Sequence, residues 1–390
     1  MKFQILIIYL AALVQGTALV TFPAAGTLIT SAQGQNLTPA QYGFLFIPMN
    51  IAAILSAFLA GNLSGRLGLR PIFVAGLLCN TVSMAFFAST QSFLTNSQSV
   101  FSLMIFALLF MGLGFGTTLT ILNAYVAAFF PKRIPTALTA LHSLLGTGTA
   151  IAPLLFNFFM QRQSWWIDPV LLGGLFILFT LLSWSLLDSA HHQKNSSSSS
   201  HKEKLGDVFK LFCAMVFLYG ICETIFGNWA TILLTTERGL SLSKASLALS
   251  LFWAMVTLGR IGIAASSLWI RPKMIYAGLP LAILIVYLFV PIAQGSLSSL
   301  LLFAAAGLAC SGMLPLSISL DQKEYPKLAA VISGRLVTAY MLGYCVAAYG
   351  AGELMKIFKI SLESIYFYTS FIALIMVILM PFLFRRIIHK

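Results

Sequence analysis

Twelve long apolar segments restrict the fold of this chain more than any other feature of its sequence. A helix needs about 20 apolar residues to cross the hydrocarbon core of a bilayer, and helices and closed barrels satisfy every backbone polar group there. The composition agrees, because 59% of the residues are hydrophobic and 8% are charged. The sequence predicts an all-α membrane protein whose transmembrane helices span approximately residues 3–29, 40–62, 71–90, 99–130, 135–160, 166–188, 206–234, 243–268, 272–293, 298–320, 327–352 and 363–384.

The chain also repeats itself. Gly112-Leu113 lies 19 residues before Pro131. The same spacing separates Gly307-Leu308 from Pro326, 195 positions further on. A second match pairs Gly65-Arg66 with Gly259-Arg260. Tandem repeats of this kind are a common architecture of secondary transporters, so we expect two pseudo-symmetric six-helix halves, at residues 1–188 and 206–390.

A polar segment, residues 189–205, separates the two predicted halves and contains a run of five serines. A serine-rich segment has no apolar side chains to bury and behaves as a flexible linker. We therefore expect a cytoplasmic linker. Its histidines lack a fixed scaffold, so we expect no metal at His191, His192 and His201.

The distribution of Lys and Arg predicts the orientation of the protein. Cytoplasmic loops of membrane proteins carry an excess of these residues, and here most of them lie on the side that would hold both termini. The opposite side carries Arg162, Arg238, Lys244, Lys356 and Lys359. The first segment exceeds the 7–15 or so apolar residues of a signal peptide and is expected to remain as a helix. Because the loops are short, we expect a multi-pass protein of a cell inner membrane, with both termini cytoplasmic.

Several classes of protein are disfavoured by the remaining patterns. The net charge is +13, but the Lys and Arg residues are spread over short loops and form no basic face with interleaved aromatic residues, so we expect no nucleic-acid partner. The five cysteines show no CxxC spacing, and no P-loop, HExxH or Gly-x-Ser-x-Gly motif occurs. We expect no enzymatic activity, no metal and no cofactor. The expected partners are the lipid bilayer and a small-molecule substrate, and we expect a monomer.

Residues 61–70, between the second and third segments, read Gly-Asn-Leu-Ser-Gly-Arg-Leu-Gly-Leu-Arg. This stretch resembles the signature loop of the major facilitator superfamily, Gly-x-x-x-Asp-Arg-x-Gly-Arg-Arg, with Gly65 in place of the usual Asp. The resemblance implies the major facilitator fold. It also implies a conformational latch on the cytoplasmic side, formed by Gly61, Arg66, Gly68 and Arg70.

A narrower resemblance is to the fucose and glucose permease group of that superfamily. It rests on residues 123–131, on residues 141–148 with Pro153, on residues 252–260, and on Glu223 with Trp229. The resemblance implies symport of a sugar-like solute with protons. In the fourth and first helices, where members of that group carry acidic residues, this chain has Leu119 and offers Gln15.

Two opposite charges lie deep in consecutive segments. Glu223 lies about 20 Å of helix beyond Lys210, and Arg260 lies about 16 Å from Arg271. Ionisable residues inside a membrane are costly and are functional candidates for that reason. We expect Glu223 and Arg260 either to form a pair or to interact so that the arginine tunes the carboxylate. A static pair that locks two helices and a role in binding or coupling are both open.

Asn123 and His142 lie on consecutive segments, each about 10–12 Å from the cytoplasmic edge. A histidine with an amide partner can bind a hydroxyl or carry a proton near neutral pH. The alternative is an interhelical hydrogen bond, which stabilises a membrane protein by about 0.6–2 kcal/mol.

The remaining cavity candidates are side chains that bind hydroxyls or stack on sugar rings, although each also fits ordinary packing: Gln15, Asn228, Trp229 and Trp253. In the major facilitator superfamily, helices one, four, seven and ten line the transport path. The resemblance therefore favours Gln15, Glu223 and the serines between Ser311 and Ser319.

Together these features predict a secondary transporter that works by alternating access and imports a small polar solute with protons. An exporter of amphipathic metabolites or drugs is a second interpretation, which the few membrane charges and the 13% aromatic content equally allow. A membrane receptor that binds without transporting is a third.

Overall fold

The computed structural model describes residues 2–187, 206–266, 269–324 and 328–388. These residues form fourteen α-helices, a 3₁₀ turn and a π turn, and no β-strand. Twelve helical segments among them are long and apolar enough to cross a membrane, which confirms the predicted fold class. The chain divides into two compact units, Met1–Ser199 and Ser200–Lys390. The predicted linker, residues 189–205 with three histidines, lies outside the described residues.

The first unit contains seven α-helices that make six membrane spans. Pro23 lacks a backbone N–H, and the first helix ends directly after it, so two helices share the first span. Thr38 caps the third helix in a reciprocal pair of hydrogen bonds with Gln41. The helices are α1 (Lys2–Ala24), α2 (Gly26–Thr30), α3 (Pro39–Leu67), α4 (Leu69–Ser89), α5 (Ser97–Phe129), α6 (Ile134–Met160) and α7 (Ile167–Leu186).

The second unit also contains seven α-helices in six spans. Here the tenth span is the divided one, because its first helix ends at Cys310 and the next begins at Met313. The helices are α8 (Asp207–Ile232), α9 (Leu242–Ser266), α10 (Pro272–Phe289), α11 (Ser296–Cys310), α12 (Met313–Glu324), α13 (Ala329–Phe358) and α14 (Leu362–Ile388).

The stretch expected to be a loop between the second and third segments is mostly helical. Gly61 and Arg66 lie within α3, and Gly68 alone separates α3 from α4. Gly68 has a φ of 85°, a conformation that glycine adopts without steric cost. The apolar residues before it continue the helical pattern, so the turn is shorter than the sequence motif indicated.

Two glycines bring α1 and α6 into close contact in the first unit. A Cβ atom on Gly16 would overlap the backbone carbonyl oxygen of Leu145. In return, a Cβ atom on Gly148 would overlap the carbonyl oxygen of Leu13. Small residues of this kind let membrane helices approach to backbone contact. The crossing of α1 and α6 therefore depends on both glycines.

The second unit repeats this crossing between α8 and α13. A Cβ atom on Gly220 would meet the carbonyl oxygen of Tyr340 at 2.5 Å, and one on Gly343 would overlap the carbonyl oxygen of Phe217. In both units, each glycine lies three residues after the residue of its own helix whose carbonyl oxygen meets the other glycine. The internal repeat is therefore present in the packing of the helices as well as in the sequence.

A second repeated contact joins α3 to α5 and α9 to α11. Gly112 packs on the carbonyl oxygen of Met49, and Gly307 packs on that of Phe252. Gly112 and Gly307 therefore occupy equivalent places, as the sequence repeat indicated.

Further along these helices, an equivalent contact is made by a serine and a glycine that have changed sides. Ser56 of α3 faces Gly116 of α5, whereas Gly259 of α9 faces Ser311 after α11. Gly259 is therefore the counterpart of Ser56. The expected match between Gly65-Arg66 and Gly259-Arg260 is wrong, because the first pair ends its helix and the second lies inside one.

Candidate functional site

A buried carboxylate on α8 is the centre of the candidate site in the second unit. Glu223 is 3% exposed. Tyr219 Oη donates to Glu223 Oε1 at 2.6 Å, and Tyr340 Oη donates to Glu223 Oε2 at 2.5 Å. Tyr219 lies one helical turn before Glu223, and Tyr340 reaches it because Gly220 and Gly343 bring α13 against α8. Each carboxylate oxygen therefore has a neutral O–H donor.

The Tyr219 hydroxyl has a second partner. Its oxygen lies 2.8 Å from the backbone carbonyl oxygen of Cys310, the last residue of α11. The carboxylate is thus connected through one phenol to the place where the tenth span is divided.

Arg260 approaches the same place from α9. Its Nε donates to the backbone carbonyl oxygen of Ser311 at 3.3 Å. The expected ion pair between Arg260 and Glu223 is not formed, since no nitrogen of Arg260 lies within 4.0 Å of the carboxylate oxygens. The two side chains contact consecutive residues of the divided span, one directly and the other through Tyr219.

One turn beyond Glu223, α8 and α13 form a second polar contact. Tyr344 Oη donates to Asn228 Oδ1 at 2.7 Å. Because Tyr340 and Tyr344 are four residues apart, they share a face of α13. This face carries the hydroxyls that bind Glu223 and Asn228 of α8.

Two tryptophans complete this region. Trp229 is fully buried on α8. Trp253 of α9 is half-buried, with its ring 5.1 Å from that of Phe252 and packed over Gly227. The Trp253 Nε1 atom has no hydrogen-bond partner among the described residues. A ligand hydroxyl near Gly227 could accept this N–H.

In the first unit, Gln15 lies inside the helix packing. It is fully buried, and its amide pairs with Asn80 of α4 through bonds of 2.6 and 3.4 Å. Asn80 also donates to Thr118 Oγ1 of α5 at 3.3 Å. The amide expected to line a cavity therefore joins three helices of its own unit.

Asn123 and His142 differ in exposure. Asn123 is half-buried, and its Oδ1 has no hydrogen-bond partner among the described residues. His142 is exposed, and a shared role of the two side chains stays a prediction.

The residues of the expected latch are distributed over α3 and α4. Arg66 is exposed, and a Cβ atom on Gly61 would meet no described atom within 4 Å. Arg70 Nη1 donates to the carbonyl oxygens of Trp184 and Leu187 at 3.4 and 3.3 Å. Arg70 therefore ties the start of α4 to the end of α7.

Two fully buried acids, Asp168 and Asp321, were not among the predicted site residues. Asp168 is the second residue of α7 and lies beside Thr21, whose hydroxyl donates to the carbonyl oxygen of Thr17. Asp321 lies in α12. Both are near the edges of predicted segments, where an acid is usually solvated. In the sequence, only their places just inside or just beyond a predicted segment could have marked these two acids as buried.

Twelve apolar spans in two units with the same helix contacts define a duplicated, polytopic membrane protein. The sequence model of the Major Facilitator Superfamily matches residues 5–348, and the chain belongs to this superfamily.

Individual relatives and structures support the same fold. The chain is 24% identical to the glucose/mannose transporter GlcP of Bacillus subtilis (strain 168), over 76% of each protein. A crystal structure of the nucleoside transporter NupG superposes with a TM-score of 0.80 at 13% identity, covering 97% of this chain and 99% of that one. The D-xylose-proton symporter superposes with a TM-score of 0.77 at 17% identity, covering 97% and 96%.

Proposed function

We propose that this chain is a secondary transporter that moves a small, sugar-like solute by alternating access, with Glu223 as its proton-coupling acid. The observation that carries the proposal is the environment of Glu223, which is buried and held by two phenolic hydroxyls instead of a cation. A carboxylate without a salt-bridge partner can gain and lose a proton without breaking an ion pair. Buried acids of this kind mark proton pathways in membrane transporters.

The names of the similar proteins support the class of substrate. GlcP is a glucose/mannose transporter, and the superposed structures are of a D-xylose-proton symporter and a nucleoside transporter. Sugars and nucleosides are neutral and carry several hydroxyl groups. A monosaccharide or a compound of similar polarity is therefore the substrate that we propose for this chain.

Side chains within about a turn of helix of Glu223, and a tryptophan packed on the same helix, suit such a solute. Asn228 and Tyr344 offer an amide and a hydroxyl, and Trp253 offers an N–H without a partner among the described residues. Substrate binding next to a titrating carboxylate would link the two events. We therefore propose Asn228, Tyr344 and Trp253 as contacts of the solute.

We also propose that both termini lie in the cytoplasm and that the protein resides in a cell inner membrane. The excess of Lys and Arg on the side of the termini supports this orientation. The latch at residues 61–70 and the role of His142 stay predictions.

The test is uptake into proteoliposomes, with and without an imposed proton gradient. Glucose, mannose, xylose and a nucleoside are compared for the wild type and Glu223→Gln. We expect the gradient to drive accumulation by the wild type. The amide keeps the size of the side chain but cannot release a proton, so Glu223→Gln should exchange solute without concentrating it.

Glu353→Gln is the matched control, because Glu353 is an acid of α13 that contacts Lys356, at 3.7 Å, and Tyr349 and lies away from the Glu223 cluster. It should accumulate solute like the wild type. Equal accumulation by Glu223→Gln and the wild type would contradict the role of Glu223. Solute binding without counterflow would favour a receptor, and gradient-driven efflux of amphipathic compounds would favour an exporter.

A further inference from the structure

The Tyr219 hydroxyl faces two acceptors but carries one hydrogen. Its oxygen is 2.6 Å from Glu223 Oε1 and 2.8 Å from the carbonyl oxygen of Cys310. A phenol has a single O–H to donate. While Glu223 is ionised, Tyr219 can therefore satisfy the carboxylate or the carbonyl, but not both.

A proton on Glu223 removes this competition. The carboxylic acid then has its own O–H, which it can donate to Tyr219 Oη. Tyr219 in turn donates its hydrogen to Cys310, and each acceptor has a donor. One proton enters from water and forms an O–H bond on the carboxylate; no other covalent bond changes.

The Cys310 carbonyl oxygen, which accepts from Tyr219, lies where the tenth span is interrupted. α11 ends at Cys310, and α12 begins at Met313. The last carbonyl groups of a helix lack partners within the helix. Tyr219 Oη and Arg260 Nε lie within hydrogen-bond distance of the carbonyl oxygens of two consecutive residues there, Cys310 and Ser311.

Several titratable groups surround Glu223, and their chemistry decides which of them takes up the proton in this proposal. On α8 it faces Tyr219, and from other elements it faces Tyr287 of α10, Cys310 of α11, and Tyr340 and Tyr344 of α13. Arg260 of α9 acts on two of these phenols, Tyr219 and Tyr340. Arg260 is always protonated, and phenols and thiols ordinarily stay neutral near neutral pH. The carboxyl group of Glu223 is therefore where the proposal places the proton.

We propose that Tyr219 is a positioning residue that transmits the protonation of Glu223 to the division of the tenth span. Protonation directs the Tyr219 hydrogen to Cys310 and fixes the end of α11. When the proton leaves, the Tyr219 hydrogen turns back to the carboxylate, and the Cys310 carbonyl loses this donor while Arg260 keeps its bond to Ser311. The inference rests on the proposed function, since it assigns the mechanical consequence of the same coupling acid.

The first test is hydrogen–deuterium exchange of the purified full chain at acidic and at alkaline pH, corrected for the intrinsic effect of pH on exchange. In the wild type, amides around residues 310–314 should be more protected at acidic pH. Glu223→Gln should show the same protection at both values, because its amide can donate to Tyr219 at any pH. Equal corrected protection of the wild type at both pH values would overturn the inference without any variant.

The second test is transport by Tyr219→Phe, which removes the hydroxyl and keeps the ring. We expect counterflow to continue, gradient-driven accumulation to fall, and the pH profile of exchange to flatten. Tyr366→Phe is the matched control, because the buried Tyr366 hydroxyl donates to a backbone carbonyl, that of Ile225, at 2.6 Å. It should keep the wild-type pH profile.

The outcomes separate this inference from the proposed function. If Glu223→Gln loses coupling but Tyr219→Phe keeps full accumulation and the wild-type pH profile, the relay is wrong and the coupling acid stands. If Glu223→Gln accumulates solute like the wild type, the proposed function itself fails.

Discussion

The two helix crossings, α1 with α6 and α8 with α13, have the same backbone contacts but different side chains. Gln15 precedes the crossing glycine Gly16 in the first unit, and Tyr219 precedes Gly220 in the second. Three residues after these glycines, Leu19 occupies the place that Glu223 has in the second unit. Only the second crossing therefore carries an ionisable group at this place.

A neutral polar cluster takes the corresponding place in the first unit. The amides of Gln15 and Asn80 satisfy each other, and Leu145 stands where the second unit has Tyr340. Such a cluster holds helices together at any pH. The comparison indicates that the repeat preserves the packing, while the proposed proton chemistry is confined to one half.

The largest expected effect tests whether the two crossings are equivalent. Gly16→Val and Gly220→Val each place side-chain atoms against a backbone carbonyl. Overpacking of this kind costs about 3 kcal/mol, so both variants should lose much of the wild-type thermal stability in detergent. The measurement is the unfolding temperature of each purified variant.

Gly174→Ala is the control for this pair, because a Cβ atom there meets nothing within 4 Å. It should unfold at the wild-type temperature or above it, since alanine favours the helix by about 1 kcal/mol. A large drop in unfolding temperature for one of the two glycine variants and none for the other would show that the two crossings are not equivalent.

A smaller effect tests the neutral cluster. Asn80→Leu leaves the buried Gln15 amide without its partner, and an unsatisfied polar group costs about 2 kcal/mol. The double variant Gln15→Met with Asn80→Leu should recover most of this loss, because both partners become apolar. Both proteins should keep the pH profile of transport; a flattened profile would give the first unit a share in coupling.

The smallest effect concerns Asp168, the buried acid of the first unit. Its carboxyl group is fully buried, and no Lys or Arg among the described residues forms an ion pair with it, so an uncharged amide of the same size should stabilise the protein by about 1 kcal/mol. We expect Asp168→Asn to unfold at a slightly higher temperature and to accumulate solute normally. Exchange without accumulation in this variant would place a second ionisable coupling site in the first unit.

The spans could be predicted because length and hydropathy determine them. The edges agree within a few residues for most helices, such as α5 at Ser97–Phe129 against the predicted 99–130. The division of the tenth span could not be predicted, since Ser311 and Gly312 are also common inside membrane helices. Whether a helix continues there depends on its neighbours.

The candidate site was predictable only in part. Glu223 stood out because an acid within an apolar segment is rare, but nothing in the pattern indicated Tyr340 as its partner. That contact depends on how closely α13 approaches α8, which Gly220 and Gly343 determine. Arg260 was expected to pair with Glu223 because the two residues lie at similar depth in their helices. Depth does not determine the direction of a side chain, and the Nε atom of Arg260 instead donates to the carbonyl oxygen of Ser311.

The exchanged serine and glycine have a consequence for how duplicated chains are compared. Ser56 with Gly116 and Gly259 with Ser311 provide the same combined volume, although the larger residue has moved to the opposite helix. The two facing residues together determine the distance between the helices, and neither position does so alone. An alignment that rewards identical letters would match Gly65 to Gly259 and miss the true counterpart, whereas one that scores facing pairs by their joint size would recover the ancestry of the two halves.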